Sequence, residues 1–315
     1  MKKLITALLL CTSTLTCANE EPAPQPYVTC KLTIGQLGNQ LFQIAASLAY
    51  AWDYNAIPVF PELNATEARL SYNRDRIFFR LDASESPRPF INTYYEPLWY
   101  SSDRIPYQPD QMLWGYFHSW KHFDHHRDKI LATYAPSDAI KTYLEEKYDY
   151  LLECENTVGV HVRTYNIWDP NSKQFPFLGL NYYKQAMDHF PPDTIFVIFS
   201  DRIKWCKKHF PELNRQFIFI EDNDGIQDLY LMSMMKHNII ANSTFSWWSA
   251  YLNQNQNRMV VAPQYWMHPD FHAFPPPQPN DFYFPEWVVI PTDFSEPYPS
   301  DMAHYDEKSQ SVDGD

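Results

Sequence analysis

The chain has 315 residues, 45% of them apolar and 20% charged, and a formal net charge of −13. That is enough apolar material for a sizeable core in one large or two ordinary domains, so a disordered polymer is excluded. Sequence-independent nucleic-acid binding is excluded as well, because it needs basic surface to neutralise phosphates, so any phosphate-bearing ligand must rely on a few local cations and backbone N–H groups.

Residues 1–18 read as a processing signal. Lys2 and Lys3 precede an apolar run from Leu4 to Leu10, too short for a membrane span of about 20 residues but suited to a secretory h-region, with Thr16-Cys17-Ala18 as an imperfect cleavage site. An uncleaved anchor or a cytosolic chain with an apolar start is the alternative. The expected location is the secretory pathway or another extracytoplasmic compartment, a Golgi membrane or lumen in a eukaryote, and the cytoplasm if the signal is not real. Membrane association is expected only through this segment. Its removal leaves Cys30, Cys154 and Cys206. Thiols so spaced, with no C-x-x-C, read as buried small hydrophobes with at most one pair.

A Pro-rich linker at 19–27 leads into a first half at 28–154. Val28 to Ile34 predicts a short buried strand, followed by Gly35-Gln36-Leu37-Gly38-Asn39 and then Leu41, Phe42, Ala45, Leu48, Ala49 and Trp52 at helical spacing. This is strand, glycine turn, helix, with Asn39 expected as the N-cap. From Ala56 to Tyr134 prolines and aromatics interrupt every run, and no helix longer than two turns is predicted.

The second half, 155–292, is clearer. Apolar runs at Thr157–Val162, Thr194–Ser200, Gln216–Ile220, Asn238–Ala241 and Met259–Ala262 alternate with amphipathic stretches at Asn181–Phe190, Arg202–Phe210, Gln227–His237 and Phe245–Asn253. Such alternation builds βαβ crossovers on a parallel sheet, here a Rossmann-like nucleotide-binding half. The tail, 293–315, is acidic and expected to be disordered.

In such sheets ligands sit at the carboxyl ends of the strands, so the residues after each strand are the candidates. Gln36, Asn39 and Gln40 feed a helix N-terminus, where N–H groups favour an anion or sugar hydroxyls, or else form a plain tight turn. His161 and Arg163 point the same way at a strand end, where an Arg fork suits a diphosphate; a surface ion pair and a satisfied His are equally compatible. Asp201 and Asp228 each carry a carboxylate able to accept the two N–H groups of a guanine edge, or to cap a helix. Asn242 to Ser246 bring small polar residues to a helix N-terminus, a ready phosphate site. Trp247 and Trp248 then either line a sugar cleft or fill the core. Asn64-Ala65-Thr66 and Asn242-Ser243-Thr244 match the glycosylation sequon. Two metal-like patterns compete, the D-x-D of Asp222-Asn223-Asp224 and the spacing of His118, His122, His125 and His126. The first is equally a turn sequence, and no metal is expected.

Taken together, Gly35-Gln36-Leu37-Gly38-Asn39-Gln40-Leu41-Phe42-Gln43, Gly115-Tyr116-Phe117-His118-Ser119, Gly159-Val160-His161-Val162-Arg163, Ser200-Asp201 with Trp205-Cys206-Lys207, Asp228-Leu229-Tyr230-Leu231-Met232-Ser233, Ile240 to Trp248, and Pro285-Glu286-Trp287 occur in one order over residues 28–292. In that order the chain resembles the inverting α-1,2-fucosyltransferases of glycosyltransferase family 11. The resemblance implies an α/β, GT-B-like fold with two Rossmann-like halves facing across a cleft. It also implies a metal-independent enzyme without cofactor, whose partners are GDP-fucose and a galactose-terminated glycan. By position, Arg163 looks like the arginine that stabilises the leaving GDP, and His161 and Asp228 look like guanine-side residues. Ser243, Thr244, Phe245 and Ser246 look like the pyrophosphate and fucose loop. Gly35, Gly38, Asn39 and Gln40 would face the fucose and acceptor from the first, acceptor-side half. The family's H-x-R-R-x-D-Y departs here to His161-Val162-Arg163-Thr164-Tyr165-Asn166. Asn166 cannot take a proton, so Asp169 is the nearest candidate base. The same departure suits a non-catalytic glycan- or nucleotide-binding relative. In a chain with seven glycines, Gly35, Gly38, Gly115, Gly159 and Gly225 are expected where backbone turns tightly or approaches a ligand.

Overall fold

The computed structural model describes residues 24–97, 101–165, 174–175, 177–268, 282–293 and 299–302. The signal segment, most of the acidic tail, Asn166 and Asp169 lie outside the described residues.

The first half is built on β1 (Tyr27–Cys30), α1 (Leu37–Tyr54), β2 (Ile57–Pro58), α2 (Leu70–Arg76), β3 (Asn92–Tyr95) and β4 (Gln111–Trp114). These strands form a parallel sheet in the order β2-β1-β4-β3. Three short helices follow, α3 (Arg127–Thr133), α4 (Asp138–Lys147) and α5 (Asp149–Leu152). Helix α1 begins at Leu37, with Gln36 in the extended N-cap conformation. Asn39 is therefore not the cap. It sits in the first turn, and its side chain is free to reach across the cleft floor.

The second half runs β5 (Thr157–Val162), α6 (Gly179–Met187), β6 (Ile195–Ser200), α7 (Ile203–His209), β7 (Gln216–Phe219), α8 (Gly225–Ser233), β8 (His237–Ile239), α9 (Thr244–Leu252), β9 (Val260–Pro263) and β10 (Val288–Ile290). All pairings given for its sheet are parallel, and the order is β10-β9-β8-β5-β6-β7. Every residue of β5 is buried, as a central strand covered on both faces must be. From β5 the chain winds outward through β6 and β7, then returns to the other side of β5 with β8. The reversal makes the carboxyl ends of β5 and β8 the topological switch point, where a crevice opens in sheets of this kind.

The halves share one core. Phe42 of α1 packs against Trp247 and Trp248 of α9 with ring centroids 4.5 and 5.0 Å away, Phe123 stacks on Trp248 at 5.3 Å, and Tyr134 meets the same indole edge-on at 5.4 Å. Both tryptophans are fully buried, so they fill the core and line no sugar cleft. Cys30, Cys154 and Cys206 are free thiols, and burial pushes those of Cys30 and Cys206 up to about 12. No described helix is long and apolar enough to cross a membrane.

Removing the indole of Trp248 leaves a cavity in the core that joins the halves. Trp248→Ala is expected to cost about 3–5 kcal/mol in urea unfolding, whereas Trp114→Ala, at a position 37% exposed, is expected to cost less than about 1 kcal/mol.

Candidate active site

The carboxyl ends of both sheets open onto one cleft of 820 Å³, lined from the first half by Gly35 to Asn39, Tyr116 and His118, and from the second by residues that include His161, Arg163, Tyr165, Asp201, Asp228, Asn242 to Phe245 and Trp266.

At the switch point the loop ends are anchored from behind. The adjacent Tyr182 and Tyr183 of α6 donate their hydroxyls to the carbonyls of Ile240 (2.6 Å) and His161 (3.2 Å), fixing the ends of β8 and β5. Tyr165 donates to the Asn242 carbonyl at 2.6 Å, tying the two loops to each other. The Tyr165 ring also lies 5.2 Å from the Arg163 guanidinium, within cation–π range. Arg163 pairs with Asp201 at 3.1 Å while remaining 44% exposed, so the guanidinium is held yet still faces the cleft. Thr164 is buried, and its backbone N–H and hydroxyl both donate to Asp201 Oδ1 at 3.1 Å. Burial pushes the His161 imidazole down to about 3. It is therefore neutral at physiological pH, with a buried Nδ1 that has no hydrogen-bond partner and Phe245 5.2 Å from its ring.

The floor of the cleft is where the first turns of α1 and α9 come together. Asn39 Oδ1 accepts the Thr244 hydroxyl at 3.1 Å and lies 3.1 Å from His118 Nε2. Burial pushes His118 down to about 3, so the contact involves a neutral ring. A Cβ on Gly38 would fall 2.4 Å from Thr244 Oγ1 and 2.7 Å from the Phe245 backbone nitrogen, which makes glycine the only residue that permits this approach. Gly35 has φ +146°, another conformation that glycine alone adopts readily. Neither helix has a side-chain cap at its N-terminus, so the positive ends of two helix dipoles point into one cleft and favour an anion.

The wall beside α8 holds Asp228. The helix is capped by Asp224, which accepts from the backbone of Ile226 and Gln227 in a capping box and pairs with Arg76 of α2. Asp228, one turn further on, caps nothing and presents its carboxylate to the cleft. Burial pushes it up to about 7, against the lowering effect of a hydrogen bond from Asn223. The D-x-D sequence is thus a turn whose second carboxylate is engaged as a cap.

Of the residues expected at the site, Gly35, Gly38, Asn39, His161, Arg163, Asp228, Ser243, Thr244 and Phe245 line the cleft together. Gln40 and Ser246 do not. Both are fully buried; Gln40 bonds the carbonyls of Gly35 and Ala68 and accepts from Asn73, while Ser246 bonds Ala241 and Ser243. They shape the two glycine- and serine-bearing turns from behind because an amide and a hydroxyl are what those buried turns need. Asp169 lies outside the described residues. Tyr165, Trp266 and Tyr116 were not singled out by spacing, since they follow no regular pattern and reach the cleft only in three dimensions. Asn242 is buried and donates to the Trp266 carbonyl at 3.2 Å, which leaves its sequon no room for a glycan. The histidine cluster divides: His118 goes to the cleft, and His122 bonds the Ser101 carbonyl. His125 and His126 gather on Asp53 with ligand atoms within 4.8 Å, at hydrogen-bond distances of 2.8 to 3.1 Å that already satisfy the three groups.

Two parallel α/β sheets with a cleft between their carboxyl ends make a GT-B-like architecture. The chain belongs to glycosyl transferase family 11, whose model matches residues 17–291. It is 31% identical over 166 residues to the O-antigen biosynthesis glycosyltransferase WbnK of Escherichia coli, a match covering 49% of this chain and 54% of that protein, so it spans about half the length of that relative. Against galactoside alpha-(1,2)-fucosyltransferase 2 of Sus scrofa the identity is 28% over 284 residues, covering 83% of this chain and 79% of the relative. The crystal structure of the fucosyltransferase NodZ from Bradyrhizobium aligns with a TM-score of 0.50 at 12% identity, covering 72% of this chain and 91% of that one, a likeness of fold.

Gly38→Ala tests the joint between α1 and α9. The added methyl meets backbone rather than a movable side-chain tip, and an unfolding free energy lower by about 1–3 kcal/mol is expected; an unchanged melting temperature would show that the helices can part freely.

Proposed function

We propose that the protein transfers L-fucose from GDP-fucose to the 2-hydroxyl of a terminal galactoside, with inversion at the transferred carbon. The observation that carries this reading is the convergence on one cleft of Arg163, the neutral His161 and two uncapped helix N-termini, with the Asp228 carboxylate at its edge. The name of the Sus scrofa relative, galactoside alpha-(1,2)-fucosyltransferase 2, supports the same direction.

In this reading the guanine edge gives two N–H groups to Asp228, and His161 offers its unpartnered nitrogen to the nucleotide. The diphosphate lies over the Ser243, Thr244 and Phe245 turn, with Arg163 on the phosphate that carries the sugar. As the sugar–oxygen bond breaks, negative charge grows on that phosphate, and a fixed guanidinium and two aligned helix ends stabilise it without reorganising. The acceptor hydroxyl approaches from the first half, past Gly35, Gly38 and Asn39, on the face opposite the leaving diphosphate, which inverts the configuration. Asp169 is the proposed base, because Asn166 cannot accept a proton. No step requires a metal.

A second reading, a non-catalytic binding relative, rests on Thr164 and Asn166. Against it, Thr164 is integrated into the mount of Arg163 through Asp201. GDP binding without turnover on any galactoside would favour it.

The assignment predicts GDP release from GDP-fucose on a galactoside acceptor, undiminished by EDTA, and a fall in kcat of about 10²–10³-fold in Arg163→Ala; full activity in that variant would sink it. A separate expectation concerns pH. Only ionised Asp228 accepts both guanine N–H groups, so GDP affinity rises to its full value as the carboxyl ionises and falls as it protonates, with the midpoint near pH 7. Calorimetric titration with GDP between pH 5.5 and pH 8.5 reads this directly.

A further inference from the structure

Asn223 sits in the turn before α8 and plays no part in the reading above, yet its side chain is the most constrained amide near the cleft. Its Oδ1 accepts from the Tyr148 hydroxyl at 2.9 Å, the Tyr143 hydroxyl at 3.1 Å and the Lys147 ammonium at 3.2 Å. Its Nδ2 donates to Asp228 Oδ1 at 3.0 Å. Three donors crowded on one side settle the orientation of the amide. A flip would set its NH₂ against two hydroxyls and an ammonium while turning its oxygen onto a carboxylate. The donors come from α4 and from the residue that follows it, in the first half of the chain, whereas Asp228 belongs to the second. The same turn is gripped from the first half a second time, by Arg76 of α2 on the capping Asp224.

We propose that Asn223 is a positioning residue for the donor nucleotide, a fixed N–H donor through which the first half of the chain orients Asp228 and keeps it in its acceptor form for the base. This rests on the donor assignment above. One oxygen of Asp228 is already met by an amide proton, and its remaining lone pairs face the cleft in a set direction. Guanine selection then depends on residues more than 70 positions away in sequence, so the base end of the donor site is complete only when the halves are joined.

The charged and titratable groups around Asp228 are few. Asp224 lies in the same turn and opposes ionisation; Lys147 of α4 favours it; Tyr143 and Tyr148 reach Asp228 only through Asn223; Arg76 is engaged by Asp224. Losing the Asn223 donor removes a direct stabiliser of the carboxylate and leaves burial and Asp224 to act against it, so the carboxyl protonates at higher pH.

The test is calorimetric titration of the full chain with GDP and with inosine diphosphate, which lacks the guanine amino group, across pH 5.5 to 8.5. The wild-type chain is expected to prefer GDP. In Asn223→Ala the GDP dissociation constant is expected to rise roughly tenfold or more, as for a lost hydrogen bond to a charged group. The preference over inosine diphosphate should shrink, and the pH midpoint for binding should move upward. Asn223→Asp, which keeps the acceptor oxygen but sets a second carboxylate against Asp228, should bind GDP more weakly still. Tyr148→Phe, which removes one outer donor without changing a residue of the turn, should shift both readouts the same way by less, and it keeps the test decisive if the Asn223 variants fold poorly. Equal weakening toward both nucleotides with an unmoved pH midpoint would mean that Asn223 only supports the fold, and would overturn the proposal while leaving the donor assignment intact. A wild-type chain that binds no GDP overturns the donor assignment itself, and this proposal with it.

Discussion

Everything else in the molecule depends on the contact between the first turns of α1 and α9. Those two helices start at the carboxyl ends of strands in different sheets, and Gly38 lets them approach until backbone meets backbone. Asn39 Oδ1 then closes the joint by serving Thr244 and His118 together. The aromatic core behind it, Phe42 against Trp247 and Trp248, resists any sliding that would separate the helices. A cleft between two sheets could be lined in many ways; one lined by two helix N-termini has an anion preference written into its backbone, independent of side-chain charge. This is how a chain with net charge −13 can favour an anion in a cleft that Arg163 also lines, as the proposed diphosphate site requires.

The second half was legible because its central strands, β5 above all, are buried on both faces. Thr157–Val162 matches β5 to the residue, and the other four runs predicted there fall within a residue or two of β6, β7, β8 and β9. The short β10, Val288–Ile290, is too brief to stand out in sequence from its aromatic surroundings. The first half resisted for opposite reasons. Strand β2 is two residues long, β3 alternates between exposed and half-buried positions, and 3-10 turns and prolines break the periods on which any reading of pattern relies.

Candidate residues followed the same division. Those placed by the rule that ligands gather at strand ends, His161, Arg163 and Ser243 to Phe245, do line the cleft. Residues chosen for belonging to a polar run were split by burial, with Gln40 and Ser246 turned inward. Trp247 and Trp248 show why: an aromatic pair at the start of a helix reads identically as a sugar platform or as core, and only the packing of Phe123 and Tyr134 against it decides. Glycine carried meaning unevenly. Gly38 is demanded by contact, while a Cβ at Gly225 would meet nothing closer than Phe245 at 4.0 Å.

On the proposed reading, the Arg163 mount explains how position 164 can carry a threonine without disturbing Arg163. An arginine lining a cleft needs a partner, and Asp201 supplies one at 3.1 Å. If Asp201 could follow the guanidinium toward a bound diphosphate, it would compete with the ligand and dissipate the charge that the site needs. Thr164 prevents this by holding Asp201 Oδ1 with both its N–H and its hydroxyl. The carboxylate is kept at one arm of the fork, Nη1, while Arg163 still lines the cleft, backed by the Tyr165 ring. A second arginine at position 164 would add charge to the site. A buried threonine instead adds rigidity, and in the proposed transfer a guanidinium of fixed direction would serve the growing phosphate charge better than a mobile one.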